Sequence, residues 1–480
     1  MAFLEREQLL NVLIGYNPWW TTGRVPINLD KPIRRSAFYD ISKKLLHKTL
    51  RRIVFLSGAR RVGKTTLAYQ CIADLLTKGV SHRNVLYVSF DHPLLKFFTI
   101  SDVVTLFMET IAGNTEDDIF LFFDEIQYAQ DWDTWLKTLY DQNPNYRIMV
   151  TGSASPLVEA KGIESGVGRW VTIKIPTLSF YEYLDFIQVQ KPELPVNFDP
   201  ATIHQLGAKE MTNLVVSLSG IQKYFQRYLL VGGFPELVLS DDMIYAQRIL
   251  REDVADKVLK RDLTALFGTR NVMDLEKLFL YLCLHSGGIV NQETVSKELG
   301  ISRPTVTNYL AILEQANLIY ISQPVNIEGK KVLRGKPKVY VTDVALRNAV
   351  LMLDEKVLAD PDEMGTIIET IAFKHIVSYY SNTWAKIGYY RDSKSDKEVD
   401  IVITLPQGQI LIEIKHREDY SIGPAEAIVK LANRDDTISA IMVTKRPDDY
   451  GVVPFETDKP IIKIPAFAFM YLLGVIYGLS

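Results

Sequence analysis

The sequence predicts an α/β chain of several domains, opening with a three-layer core built around a phosphate-binding loop and closing with a smaller α/β domain. Three observations carry this expectation. A glycine-rich loop stands between a β-rich run and a helical pattern, an apolar run ends in paired acids, and two alternating runs near the C-terminus hold carboxylates and a lysine. At 480 residues the chain has room for three or four domains. Apolar content of 47% and charged content of 23% are ordinary for globular protein and exclude wholesale disorder. The net charge of −3 gives no global basic field, so a nucleic-acid surface has to be local.

The loop is read from "RIVFLSGARRVGKTTLAYQ". The run from Arg52 to Ser57 leads into Gly58, Ala59, Arg60, Arg61, Val62, Gly63, Lys64, Thr65 and Thr66, and a helical pattern follows. This is G-x-x-x-x-G-K-[ST] between a strand and a helix, the context that gives the motif its meaning. The glycines let the backbone wrap a phosphate, and N–H groups at the helix start meet its oxygens. Lys64 is placed to reach the outer phosphates and Thr65 to offer a hydroxyl to Mg²⁺. The site predicted is one for ATP with Mg²⁺.

The run "DIFLFFDEIQ" reads as a buried central strand ending at Asp124 and Glu125. Ligands of open α/β sheets sit at the carboxyl ends of the strands, which puts both acids beside the phosphates. Asp124 is expected to hold Mg²⁺, and Glu125 to polarise the attacking water. "NVLYVSFD" and "YRIMVTGSAS" supply further strands. Ser153, at the end of the second, is the candidate γ-phosphate sensor. Arg169, in "ESGVGRW", is a candidate finger toward a neighbouring subunit's γ-phosphate, which implies a homo-oligomer such as a ring or hexamer.

The motifs "LSGARRVGKTT", "LFFDEIQ", "VTGSAS", "GVGRW", "PTLSFYEYL", "YLLVGGFPE" and "EVDIVI…LIEIK" occur in this order. With them the chain resembles the AAA+-type ATPases of archaea and bacteria whose C-terminal half is the module called DUF4143. The resemblance implies an AAA+-type three-layer α/β core, a helical lid, a winged helix and a restriction-endonuclease-like α/β domain. The corresponding segments are an N-terminal extension at 1–40, the core at 41–175, the lid at 176–268, the winged helix at 269–345 and the nuclease-like domain at 346–480.

Past the lid, "NQETVSKELGISRPTVTNYL" reads as a short helix, a turn at Gly300 and a second helix capped by Ser302, a helix-turn-helix. Arg303, Thr305, Thr307 and Asn308 lie where a recognition helix meets DNA. Then "GKKVLRGKPK" gathers Lys330, Lys331, Arg334, Lys336 and Lys338 into a wing-like run, a candidate phosphate contact. The partner expected is duplex or branched DNA.

In the tail, "KEVDIVITLPQGQILIEIKH" sets Asp400 at the start of one alternating run and Glu413 with Lys415 in the next. Carboxylates are disfavoured in strands. Residues two apart share a strand face, so Glu413 and Lys415 point the same way. With Glu369 on the preceding helix, this layout resembles PD-(D/E)xK nucleases. The resemblance makes Glu369, Asp400 and Glu413 ligands of a Mg²⁺, with the Ile414 carbonyl, and Lys415 the group that orients water. Such domains also bind DNA without cutting it.

Cys71 and Cys283 lie in apolar helical runs and read as reduced packing residues, and the seven histidines show no metal-ligand spacing. No signal peptide or membrane-length apolar run is recognised, so a cytoplasmic, membrane-free protein is expected. The function expected is ATP hydrolysis coupled to remodelling or processing of DNA, by a helicase-like or nuclease-like route. The rival reading is a nucleotide-dependent switch whose tail binds partners. The role of "YNPWW", with Trp19 and Trp20, is left between stacking on adenine and packing against the core.

Overall fold

A computed structural model describes residues 3–113, 116–152, 168–195, 198–263, 271–325, 335–392, 395–418, 420, 422–454 and 456–477. Its internal contacts divide the chain into two compact units, one of residues 1–176 with 315–317 and the other of 177–314 with 318–480. Apart from residues 176 and 315–317, the segments expected as lid, winged helix and tail fall in the second unit.

The first unit holds β1 (Ile53–Ser57), β2 (Val85–Ser89), β3 (Ile119–Asp124), β4 (Tyr146–Gly152) and β5 (Trp170–Lys174) in the order β2-β3-β4-β1-β5. All four pairings are parallel. Every residue of β1, β2 and β3 is buried, as expected of strands covered on both faces. β4 separates the strand that feeds the glycine loop from the strand that ends in the acids. The helix Lys64–Thr77 follows β1, and Ile100–Thr110 opens on a reciprocal capping box between Thr99 and Asp102.

β2 is an outer strand, and the N-terminal "YNPWW" segment covers its edge. Asn17 donates to the Tyr87 carbonyl at 2.8 Å and accepts the Tyr87 N–H at 2.6 Å. The indole N–H groups of Trp19 and Trp20 donate to the Val85 carbonyl at 3.1 and 2.8 Å. Both tryptophans are buried. They pack, and their polar tips satisfy strand groups that would otherwise invite edge pairing.

The second unit contains β6 (Ile319–Pro324), β7 (Lys338–Val341), β8 (Lys386–Arg391), β9 (Glu398–Leu405), β10 (Gly408–Lys415), β11 (Thr437–Thr444), β12 (Gly451–Val452) and β13 (Ile461–Pro465). They form one sheet in the order β12-β13-β11-β10-β9-β8-β6-β7. The wing hairpin β6–β7 is antiparallel, and β6 joins the tail by parallel pairing of Gln323 and Pro324 with Gly388 and Tyr389. The wing and the tail are therefore one sheet. The helices Val272–Leu284, Gln292–Leu299 and Arg303–Gln315 precede it, with Gly300 left-handed at φ +69 between the last two. Ser302 Oγ accepts the Thr305 N–H at 3.3 Å, the N-cap expected of it. The last helix, Ala466–Tyr477, is short; among the described residues no helix is long and apolar enough to cross a membrane.

A buried polar knot holds the lid motifs to the tail helix Pro361–Tyr379. Lys374 Nζ lies 2.8 Å from Asp343 Oδ2 and donates to the Leu178 carbonyl and Tyr228 hydroxyl, each at 2.9 Å. Asp343 also accepts from the N–H groups of Gly233 at 3.1 Å and Ala345 at 2.9 Å, and from the Thr177 hydroxyl. This accounts for the "GGFP" turn. Gly232 has φ +61, and a Cβ on it would meet Asp343 Oδ1 at 1.9 Å; one on Gly233 would meet the Leu178 carbonyl at 2.3 Å.

Candidate functional site

The glycine loop joins β1 to the helix Lys64–Thr77, so the loop amides converge at the helix N-terminus. Gly63, just before the helix, is left-handed at φ +96. Gly58 lies so close to the Ile175 carbonyl that a Cβ would approach within 2.3 Å. Lys64 is buried, with its ammonium donating to the Gly58 and Ala59 carbonyls at 2.8 Å each. Arg60 reaches out of the loop to the Tyr128 hydroxyl at 2.9 Å.

The acids arrive from β3 at the same end of the sheet. Thr65 Oγ1 donates to Asp124 Oδ2 at 2.8 Å, joining the two Mg²⁺ candidates. The Tyr87 hydroxyl donates to the same oxygen at 2.8 Å, and Thr151 donates to Asp124 Oδ1. Thr151 Oγ1 also accepts the Glu125 N–H at 3.2 Å, so one threonine fixes both acids. Glu125 is left-handed at φ +50, uncommon for a residue with a Cβ. Burial raises the Glu125 pKa above the usual range, Asp124 adds to the shift, and Lys64 opposes it. Gln127 donates to the Glu125 carboxylate. The hydroxyl of Thr65 beside the Asp124 carboxylate is a set of hard oxygens that suits Mg²⁺.

Ser153 lies outside the described residues, while Thr151, two positions earlier on β4, touches both acids. Tyr87 and Thr151 escaped the sequence reading because both sit in apolar β-runs, where they read as ordinary strand formers. Arg169 forms a two-pronged ion pair with Asp141, Nε to Oδ1 at 2.9 Å and an Nη to Oδ2 at 3.0 Å. It precedes β5, at the opposite end of the parallel sheet from the loop, so it does not serve its own chain's phosphates.

The tail residues also assemble. β9 and β10 pair up to Ile401–Ile412 and then part, and Asp400 fills the gap by accepting the Ile414 N–H at 2.8 Å. Ile414 thus meets Asp400 through its N–H. Glu369, Glu398, Asp400, Glu413 and Lys415 line one cavity of about 580 Å³. Lys415 lies 2.7 Å from Glu413. The sequence reading of Lys338 as a wing contact to DNA is corrected here: only 2% of its side chain is exposed, and it enters this acid cluster. Its Nζ lies 3.1 Å from Glu369, 3.2 Å from Glu398 and 3.6 Å from Asp400. Tyr340, two residues on and facing the same way, donates to Glu369 at 2.8 Å.

Burial works against the Lys338 charge, but Glu369, Asp400 and Glu398 outweigh it and raise its pKa above the usual lysine value. Burial, then the Asp400 charge, pushes the Glu369 and Glu413 carboxyls up. Among the described residues no three His, Cys, Asp or Glu side chains form a group that could hold a metal ion. The expected Mg²⁺ set of Glu369, Asp400 and Glu413 therefore does not fit the ion as arranged, because an ammonium stands among the acids. Glu398 was missed although it shares a strand face with Asp400, a signal the sequence did carry, and Lys338 was assigned to the wing.

Of the expected DNA residues, Arg303, Thr307, Asn308 and Lys336 are exposed and Thr305 is half-buried. Lys330, Lys331 and Arg334 lie outside the described residues.

Comparison with known proteins finds three family matches along the chain. Residues 50–184 match the family described as an AAA domain, and residues 364–466 match DUF4143, a domain of unknown function. Residues 222–357 match a separate domain of unknown function, DUF8612, so the C-terminal half holds two families and not one module. The chain thus carries an AAA domain and, toward its C-terminus, a DUF4143 domain. An uncharacterized protein of Methanocaldococcus jannaschii is 27% identical over 442 residues, covering 89% of each chain. One of Haemophilus influenzae is 26% identical over 300 residues, covering 62% of this chain and 68% of that one. Among solved structures, Aeropyrum pernix ORC1 in complex with DNA is similar at 13% identity and TM-score 0.29, over 70% of this chain and 96% of that one. The Thermotoga maritima RuvB Holliday junction branch migration motor is similar at 15% identity and TM-score 0.28, over 64% and 97%. Scores this low add nothing to the assignment, which stands on the family matches, strand order and site residues.

Proposed function

We propose that this chain hydrolyses MgATP and uses the cycle to remodel DNA, duplex or branched, in the cytoplasm. The observation that carries the hydrolytic part is Thr151 holding both acids, Asp124 by its carboxylate and Glu125 by its N–H, at the mouth of the glycine loop. Loop amides and Lys64 take the phosphates, and Thr65 with Asp124 would hold the metal. Bound Mg²⁺ supplies charge neutralisation at the phosphate oxygens. Glu125 orients the attacking water and accepts its proton, from a carboxylate steadied by Gln127. In a ring, for which a hexamer is one candidate, Arg169 would exchange Asp141 for a neighbour's γ-phosphate.

The DNA part is supported by the exposed N-terminal turn of the helix Arg303–Gln315 and by the exposed Lys336. The tail, on this reading, grips DNA or a partner without cutting, because its acids already hold Lys338. The same observation favours the second reading, a nucleotide switch whose tail binds protein.

The DNA assignment is tested by titrating duplex and four-way DNA at several salt concentrations. Arg303→Glu with Lys336→Glu should weaken binding and lower the log–log salt slope by about 2. Unchanged affinity and slope would remove the winged helix from the DNA interface.

A further inference from the structure

A PD-(D/E)xK-like pocket ordinarily gathers its acids around a divalent ion. Here a lysine from a different part of the chain stands among them. Lys338 opens β7, the outer strand of the wing hairpin, whereas Glu369 lies on the helix Pro361–Tyr379 and Glu398 and Asp400 lie on β9. The continuous sheet brings the three elements together, and the ammonium sits 3.1–3.6 Å from a carboxylate oxygen of each acid. Tyr340 adds a hydroxyl to Glu369, fixing the same oxygen that faces the lysine.

Mg²⁺ demands near-octahedral oxygens at about 2.0–2.1 Å and gives up its waters reluctantly. Acids spread around an ammonium at ion-pair distance do not meet that demand, and no metal-holding group of three forms among the described residues. One oxygen is nevertheless left over. Glu413 Oε2 is buried without a hydrogen-bond partner, on the same cavity wall as Asp400. It is a ligand position that Lys338 does not reach.

We propose that Lys338 is the resident cation of the tail pocket, occupying it in place of a divalent metal and closing it to one. Three buried or half-buried acids so close together need a positive charge to remain ionised. A tethered ammonium supplies that charge permanently and ties the wing strand to the tail. It neutralises the acids without offering the open coordination positions that metal-assisted hydrolysis uses. The chemical class to which the closed pocket is denied is thus a hard divalent cation, with Glu413 Oε2 and Asp400 as its ligands once the ammonium is gone. This goes beyond the ATP- and DNA-handling reading and does not depend on it.

The test titrates Mn²⁺, followed by its paramagnetic resonance signal, into the full chain without nucleotide or DNA. Wild type should show no binding that Asp400→Asn removes. Lys338→Met should gain one site per chain that wild type lacks, and Lys338→Met/Asp400→Asn should lose it again. Mn²⁺ should also raise the melting temperature of Lys338→Met by more than that of wild type or of Lys338→Met/Asp400→Asn, a readout that serves where the variant is poorly folded. An Asp400-dependent Mn²⁺ site in wild type would overturn the proposal whatever the variants do. So would a folded Lys338→Met that gains no site.

Discussion

Replacing Glu125 by Gln should slow ATP turnover by about 10²–10⁴-fold while ATP binding persists, the range typical of a lost general base. The amide keeps the shape of the side chain and the contact to Gln127 but cannot accept a proton. Lys64→Ala should instead weaken binding as well, because its ammonium belongs to the phosphate cradle. The pH profile carries a second signature. Burial raises the Glu125 pKa, and a base works only when ionised. The acid limb of kcat/KM should therefore fall at a higher pH than an ordinary glutamate would give, and activity should be retained above it. Steady-state turnover across pH, with binding measured separately by a fluorescent nucleotide, checks both points. A Glu125→Gln protein with near-normal turnover would move the base elsewhere.

Lys374→Met should destabilise the second unit by about 3–5 kcal/mol, the cost of leaving a buried charge without its partner. Asp343 is fully buried, and its other contacts are N–H groups and a hydroxyl that cannot replace an ammonium. The loss is also local to the chain crossings it secures, since Lys374 holds the Leu178 carbonyl and the Tyr228 hydroxyl at once. Asp343→Leu combined with Lys374→Met should recover part of the stability, because removing both charges removes the unpaired one. Amide exchange in β10, together with the denaturant midpoint of the second unit, reads the effect. A shift below about 1 kcal/mol would reduce the pair to the standing of a surface salt bridge.

The nucleotide site was legible because most of its roles are played by residues adjacent in sequence. The loop's spacing, the helix that follows and the acids closing an apolar run are local patterns, and β1 and β3 formed where those patterns ended. Thr151 was not legible, since a threonine inside "YRIMVTG" is a good strand former whether or not it touches Asp124. The tail was legible only in part. Alternation put Glu413 and Lys415 on one face, but what faces them depends on the pairing of β6 with β8, a contact no local pattern announces. Lys338 illustrates the cost. Counted with its basic neighbours it belongs to a wing; placed by the sheet it belongs to an acid pocket. The "GGFP" turn was visible as a turn, and its reason, the close approach of Asp343 and Leu178, was not.

Steady-state ATP turnover with Mg²⁺, measured with and without duplex and four-way DNA, tests the proposed DNA-coupled ATPase activity. DNA should stimulate turnover, and Lys64→Ala should abolish it in both conditions. Slow turnover that no DNA alters would contradict that proposal and leave a nucleotide-dependent switch.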